Sequence, residues 1–492
     1  MRRLPSIALP GAWLAVLSGA LLALPSALGA PGAPGTAARP NVVIFLADDL
    51  RPDALGALGH PVVKTPNLDR LVERGFVFRE AYVMGSMHGA VCLPSRTMLL
   101  TGQSLFRARN APSGPSPDAF TFPRAMKQAG YATVHAGKFG NSPKAITGEF
   151  DESSDPGQAT AVAGAAIDFI RRKAGRAPLF VYMAGKEPHD PQFATPEFYA
   201  RYRAGEIPLP KAFAPFQPFD NDWMTGRDEM TLAWPRTPQS ITGKLARYYA
   251  SISYWDHEVG RVVQALRDAG QFDNTVFVVA GDNGLSLGQH GLLGKQNLYH
   301  FGGMHVPLIF AGRGIPKGES RALAYLMDVF PTVCELAGLP APGRVEGLSL
   351  APVLRAEKTQ VRDWLYTAFG TGQRAVTDGR WKLIRYPRID KTQLFDLKSD
   401  SLEERDLAAV PDHAGRVEPL MAKLAELQRQ WGDPHPLKVD RPRPADWSPE
   451  RLTQEQIKAQ EDETARSAGQ KPAPRAGKAK KTAKKTRPGK RS

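Results

Sequence analysis

The sequence predicts an α/β protein: a sheet with helices on both faces, followed by a smaller antiparallel sheet near the C-terminus. Three observations carry this. Uninterrupted apolar runs at Val42–Leu46, Leu179–Met183, Val276–Ala280 and Pro307–Phe310 have the length and β-branched content of strands covered on both faces. Helical periodicity lies between them. It is clearest from Lys244 to Ala269, where Leu245, Tyr248, Ile252, Val259 and Leu266 share a face ahead of Gly270. Past residue 360 the pattern turns to short strands at Trp364–Ala368, Gln373–Thr377 and Trp381–Tyr386, with Asp378-Gly379 as a tight turn and a closing helix from Arg416 to Trp431.

Taken from the N-terminus, the first element (residues 1–30) reads as a signal peptide. Arg2 and Arg3 precede an apolar run, Ala12–Leu24, and the small residues Ala27 and Gly29 suit cleavage at Gly29 or Ala30. The run is shorter than the about 20 residues that span a bilayer. A periplasmic or secreted chain without a stable membrane span is therefore expected. Residues 39–358 are the expected catalytic domain and 359–440 the antiparallel subdomain. Residues 441–492 are an expected disordered tail, basic from 466, because residues 466–492 hold eleven Lys or Arg and no Asp or Glu. Of the formal charge of +15, eleven belong to that segment and two to Arg2 and Arg3, leaving +2 for the rest. In an exported chain such a tail suits an anionic surface or polysaccharide, and no nucleic acid partner is expected. Residues 190–242 are rich in Pro and aromatics without periodicity; so long an irregular segment is more often functional than structural.

The strands end on acidic residues. Val42–Leu46 leads to Asp48-Asp49, and Val276–Ala280 leads to Asp282-Asn283. Ligands of open α/β sheets sit outside the carboxyl ends of strands. Three carboxylates and an amide gathered there make an all-oxygen set, which suits a hard dication such as Ca²⁺ or Mg²⁺. Read singly, each is better taken as an ordinary cap or turn residue. The two cysteines, Cys92 and Cys334, allow one disulfide unless a thiol has chemistry of its own.

Cys92-Leu93-Pro94-Ser95-Arg96, with Leu100-Thr101-Gly102 after it, resembles the signature of the sulfatase family. Thr65–Asp69, Gly137-Lys138, Glu187-Pro188-His189, Gly281–Gly284 with Gly294-Lys295, and Gln393–Leu397 are similar to further family segments, so the resemblance covers about residues 39–435. It implies an alkaline-phosphatase-like fold, a large mixed sheet flanked by helices plus a small C-terminal antiparallel-sheet domain. It implies that a formylglycine-generating maturation enzyme oxidises Cys92, and that a hydroxyl of the aldehyde hydrate attacks sulfur. One divalent metal, Ca²⁺ favoured and Mg²⁺ the alternative, would be held by Asp48, Asp49, Asp282, Asn283 and the residue made from Cys92. Arg96, Lys138 and Lys295 would balance sulfate charge. Asp282 would take the nucleophile's proton, and His189 with Lys295 would protonate the leaving alkoxide.

The resemblance is closest to bacterial choline-sulfatase-like and carbohydrate sulfatases. A sulfated carbohydrate is the favoured substrate, with aryl or choline sulfate as the alternative. Trp223, Arg227 and Glu229, in the irregular segment, are expected to help set specificity. There are two departures. Gly140 stands where the family commonly has a histidine, with His88 and His135 as unassigned substitutes. His300-Phe301 stands where acidic residues are common. For His290, His300 and His305, pocket, packing and surface roles remain open. The rival readings are a phosphodiesterase or phosphonate hydrolase on the same fold, and a glycan-binding protein without turnover.

Overall fold

In chain order the strands are β1 (Asn41–Ala47), β2 (Phe76–Tyr82), β3 (Gly85–Ser86), β4 (Ala132–Gly137), β5 (Glu152–Ser154), β6 (Leu179–Ala184), β7 (Thr275–Gly281), β8 (His305–Gly312), β9 (Gly318–Tyr325), β10 (Leu365–Phe369), β11 (Gln373–Thr377), β12 (Trp381–Tyr386) and β13 (Lys391–Asp396). This computed structural model describes residues 39–108, 120–140, 142–340 and 342–467. The expected signal segment and the tail beyond residue 467 lie outside them. Among the described residues no helix is long and apolar enough to cross a membrane.

Eight strands form a mixed sheet in the order β5-β4-β6-β1-β7-β8-β2-β9. From β5 to β7 all pairings are parallel, and β8 runs antiparallel to both β7 and β2. The alternation of side chains along β1 feeds two cores. Val42, Ile44 and Leu46 pack on one face, and Val43, Phe45 and Ala47 on the other. Burial on both faces is why the run reads as uninterrupted apolar sequence. The long helix Pro238–Asp268 covers the second face together with Ala159–Lys173. It starts before the expected Lys244. Thr237 and Ser240 form a capping box and Pro238 occupies the first turn, so its start is set by capping and not by the apolar stripe.

The second sheet has the order β13-β12-β11-β10-β3. The short β3 comes from the large part of the chain and pairs parallel with β10, so the expected subdomain is completed by residues outside 359–440. Gly85 allows this contact. Its φ is 127°, and a Cβ there would lie 1.8 Å from the Ala368 carbonyl oxygen. β3 is thereby anchored to β10 six residues before the helix Cys92–Thr101 begins.

The expected disordered tail begins too early. Trp447 packs against Phe216 and Trp234, and Gln454–Ser467 is a helix. That helix has no apolar stripe; among its residues only Gln460 and Ser467 are buried. It is held by polar contacts: Gln460 Nε2 to the Leu232 carbonyl at 3.0 Å, Glu463 to Arg227 at 3.2 Å, and Ser467 Oγ to Asp190 Oδ1 at 3.1 Å. Hydrophobic periodicity does not reveal such an element.

Candidate active site

The carboxyl ends of β4, β6, β1 and β7 lie side by side. Ala47 pairs with Gly281, and Gly137 with Ala184. The residues that follow therefore meet at one edge: Lys138 after β4, His189 after β6, Asp48 and Asp49 after β1, Asp282 and Asn283 after β7. Two backbone bonds fix the edge, Asp282 N–H to the Ala47 carbonyl and Asp48 N–H to the Glu187 carbonyl, both at 3.0 Å. Asp49 turns back with φ 70°, held by its own N–H to Asp282 Oδ1 at 3.0 Å and by Tyr248 Oη on its carbonyl at 2.7 Å. A left-handed non-glycine residue so braced is backbone strain at a functional edge.

Cys92 opens the buried helix Cys92–Thr101, which Gly102 ends in the left-handed conformation with φ 64°. Arg96 lies one turn further on the same face. Cys92 Sγ is 3.2 Å from Asp48 Oδ1, 3.3 Å from Asn283 Oδ1 and 3.8 Å from Asp49 Oδ1, with Lys295 Nζ at 3.3 Å. Arg96 reaches Asp282 Oδ2 through Nε at 2.8 Å, Asp48 Oδ2 through Nη2 at 3.0 Å and Ser142 Oγ through Nη1 at 3.2 Å. Lys138 Nζ pairs with Asp48, and Lys295 Nζ with Asp49 Oδ1 at 2.6 Å. His189 Nε2 is 3.8 Å from Asp49 Oδ2, and its Nδ1 is bound to the Asp190 carbonyl at 2.6 Å, which fixes the ring. All nine expected residues are thus in one cluster.

Three carboxylates face three cations here. Burial raises the pKa of Asp48, but Lys138 and Arg96 overcome it and hold the carboxyl far below its usual range. Burial, then the neighbouring Asp48 charge, pushes Asp282 up. Burial would discharge Lys295, but Asp49 and the groups beside it keep it protonated. Burial, then Asp282 and Asp48, raises the Cys92 thiol well above its ordinary value. A thiolate is therefore disfavoured, and Cys92 as an unmodified side chain is a poor nucleophile.

The donor set fits a dication. Ligand atoms of Asp48, Asp49, Cys92 and His189 lie within 4.8 Å of one another. Asp48 Oδ1 faces a sulfur, a weak donor, instead of an N–H. With three negative and three positive side chains, an added dication leaves a positive excess suited to an anionic sulfate ester.

His135 is not in this cluster. It stacks between Phe139 and Tyr182 at 5.5 and 5.4 Å, fully buried, with neither ring nitrogen bonded. His88 is exposed and tied to Ser86 through its backbone. His290 stacks on Tyr299 at 4.0 Å, a packing role. At Gly140 a Cβ would meet nothing within 4 Å, so space does not explain the missing histidine.

Glu229, expected to contribute to specificity, is instead a buried brace. It accepts the Leu293 and Gly294 N–H groups and pairs with Arg236, which sets the loop carrying Lys295. Sequence reasoning did not assign roles to Ser142 and Asp228. Asp228 Oδ2 lies 4.0 Å from Lys295 Nζ and accepts Gln296 Nε2 at 2.7 Å. No local motif marks Ser142, and Asp228 lies in the run Arg227-Asp228-Glu229, which resembles that of bacterial members but does not reveal its contact with Lys295. A cleft of about 440 Å³ opens over the cluster, lined by Lys138, His189, Gln192, Phe193 and Arg247 among others.

The profile described as Sulfatase matches residues 40–339, and that described as N-sulphoglucosamine sulphohydrolase, C-terminal, matches residues 288–430. An N-acetylglucosamine-6-O-sulfatase of Bacteroides thetaiotaomicron is 26% identical over 81% of this chain and 88% of its own. A choline-sulfatase of Rhizobium meliloti is 27% identical over 76% and 84%. Among solved structures, one in complex with its substrate D-glucosamine-2-N,6-O-disulfate has a TM-score of 0.69 at 22% identity, covering 82% of this chain and 100% of that one. A phosphonate monoester hydrolase from Silicibacter pomeroyi has a TM-score of 0.67 at 23% identity, covering 80% and 96%. The large mixed sheet with its small companion is the alkaline-phosphatase-like fold of these neighbours. The chain belongs to the sulfatase family and is a hydrolase of sulfate esters.

Proposed function

We propose that the substrate is a sulfated carbohydrate, and that the protein acts with Cys92 matured to formylglycine and one dication, Ca²⁺ in preference to Mg²⁺. The observation that carries this is the place of Cys92: its sulfur sits among Asp48, Asp49, Asn283 and Lys295 at 3.2–3.8 Å, yet the thiol is held neutral. A two-electron oxidation at Cβ by a separate maturation enzyme that supplies dioxygen as oxidant breaks the C–S bond, releases the sulfur at the sulfide level and places an aldehyde there. Its hydrate supplies one hydroxyl to attack sulfur and a second to release sulfate. The metal, held by Asp48, Asp49, Asp282, Asn283 and the matured residue, supplies charge for the sulfate oxygens.

The side chains divide the remaining work. Arg96 fixes Asp48 and Asp282 through two separate nitrogens, so both carboxylates keep one orientation. Lys138 and Lys295 stabilise charge on the sulfate oxygens in a water-poor site. Asp282 is the acceptor for the nucleophile's proton. His189, whose Nδ1 is occupied by the Asp190 carbonyl, presents Nε2 toward the site to protonate the leaving oxygen.

The carbohydrate reading is supported by the cleft. Phe193 is 41% exposed there, an aromatic surface for a sugar ring, beside Arg247 and Lys186 for anionic groups. It is supported further by the amino-sugar sulfatases among the relatives. Export to the periplasm or medium, and contact of the basic tail with anionic surfaces, belong to the same reading.

Mass spectrometry of the tryptic peptide Glu80–Arg96 from exported protein tests it. Formylglycine is expected; a free thiol throughout would overturn the proposed nucleophile. Turnover of N-acetylhexosamine 6-sulfates is expected to exceed that of choline sulfate. An aryl phosphate diester serves as the control for the phosphonate-hydrolase fold match, and a preference for it would overturn the substrate assignment.

A further inference from the structure

A cleft of about 620 Å³ lies apart from the cluster around Cys92. It is bordered by Glu80, His300 and His305. We propose that these three residues form a second metal site, which takes a transition-metal dication of the Zn²⁺ class. The proposal does not depend on the reading of Cys92.

β2 and β8 place two of the ligands. Tyr82 pairs with His305 and Ala81 with Val306, which puts Glu80 near the start of β8. His300 comes from the turn just before that strand. The three are 4%, 7% and 4% exposed, and one ligand atom from each lies within 4.8 Å of the others. The two imidazole rings are 4.2 Å apart. Metal bonds of about 2.0–2.2 Å require these atoms to draw together by about an ångström.

The hydrogen bonds leave ligand lone pairs free. His305 Nε2 is bound to the Arg79 carbonyl at 2.8 Å, so it carries the proton, and Nδ1 is left buried without any partner. An imidazole N–H on a backbone carbonyl, with the other nitrogen free, is the arrangement that orients histidine for a metal. His300 Nδ1 is 2.7 Å from Tyr82 Oη, which in turn donates to Glu80 Oε2 at 3.3 Å. A buried imidazole nitrogen with no bond is destabilising; a bound cation removes that cost.

The neighbouring cations do not close the site. Lys382 is paired with Glu403 at 2.8 Å. Arg321 reaches Glu80 Oε1 at 2.8 Å, but its side chain is 81% exposed and swings away at small cost. Two imidazoles and one carboxylate with an open fourth position is a zinc-type set. It is softer than the oxygen-rich set beside Cys92, so the two sites select different ions.

The test uses the full chain, stripped with chelator and returned to excess Ca²⁺ to fill the oxygen-rich cluster, then titrated with Co²⁺. A saturating visible absorption band at one equivalent is expected, displaced by Zn²⁺. His305→Gln and Glu80→Gln should each weaken Co²⁺ binding at least tenfold, while Asp49→Asn should leave the band unchanged. No band in the unaltered protein, a band that survives both variants, or one lost with Asp49→Asn would overturn the site. If both variants fail to fold, X-ray absorption on the zinc-loaded unaltered protein decides. A shell with two imidazoles supports the site, and an all-oxygen shell overturns it.

Discussion

Around Cys92, three carboxylates are matched by Arg96, Lys138 and Lys295, each within direct contact of its partner. Around His305, one carboxylate faces two imidazoles, and a ring nitrogen is left unbonded. Both clusters are buried, yet they manage the cost of burial differently. The first keeps its groups charged and pairs them. The second keeps its rings uncharged and accepts an unmet lone pair. The difference teaches what each can receive: the paired cluster has surplus oxygen donors and cations for an anion, whereas the neutral one has nitrogen donors for a softer ion.

The largest expected effect breaks the first cluster at its centre. Cys92→Ala should lower turnover of an aryl sulfate by about 10⁴-fold or more. Cys92→Ser should instead leave a sulfated protein visible by intact mass, because a single hydroxyl forms the ester and has no second one to release it.

Next in size is Arg96→Ala. It leaves Asp48 and Asp282 without their shared partner in a fully buried site and should cost about 3–5 kcal/mol in a urea titration. If the loss is below 1 kcal/mol, the pairing contrast between the two clusters is wrong.

A smaller, pH-dependent effect comes from His135, packed behind Arg96. Burial, then the Arg96 charge, lowers its pKa from 6.5 to about 3. The fold therefore binds the neutral ring, and its contribution is present above pH 6.5 and lost as pH falls toward 3. Relative to His135→Phe, the unaltered protein should lose about 1.4 kcal/mol per pH unit below 6.5. Melting temperatures of both proteins at pH 7 and pH 5 check this; parallel shifts would contradict it.

Smallest is Gly140→His. Nothing lies within 4 Å of a Cβ there, so the unfolding free energy in a urea titration should stay within about 0.5 kcal/mol of the unaltered protein's. If sulfate release limits turnover, kcat for the aryl sulfate and its KM rise together, and kcat/KM is unchanged.

The two clusters also differ in how far they are legible in sequence. Cys92, Pro94 and Arg96 are contiguous on one helical turn, and Asp48 and Asp282 follow apolar strands that a parallel register must bring level. Local pattern and one topological rule suffice for them. Ser142 joins the cluster through Arg96 and the Lys138 carbonyl, and Asp228 through Lys295, relations that their sequence neighbours do not reveal. β2 and β9 show no continuous apolar run because Arg79, Glu80, Glu319 and Arg321 interrupt it. The helix Gln454–Ser467 carries no apolar stripe, Ile457 being its one large apolar residue, and is held by hydrogen bonds. His300 and His305 were visible as residues, but their relation to Glu80 exists only in the pairing of β2 with β8.

The complete burial of Cys92 sets an order of events in the life of the chain. Its residue exposure is zero, and the peptide before it is held by Gly85 against Ala368. A protein-sized catalyst has no route to that sulfur once both sheets have formed. The maturation proposed for Cys92 would therefore have to come while this stretch is still an open peptide, in a race against folding. Chain that closes first keeps its thiol for as long as it stays folded.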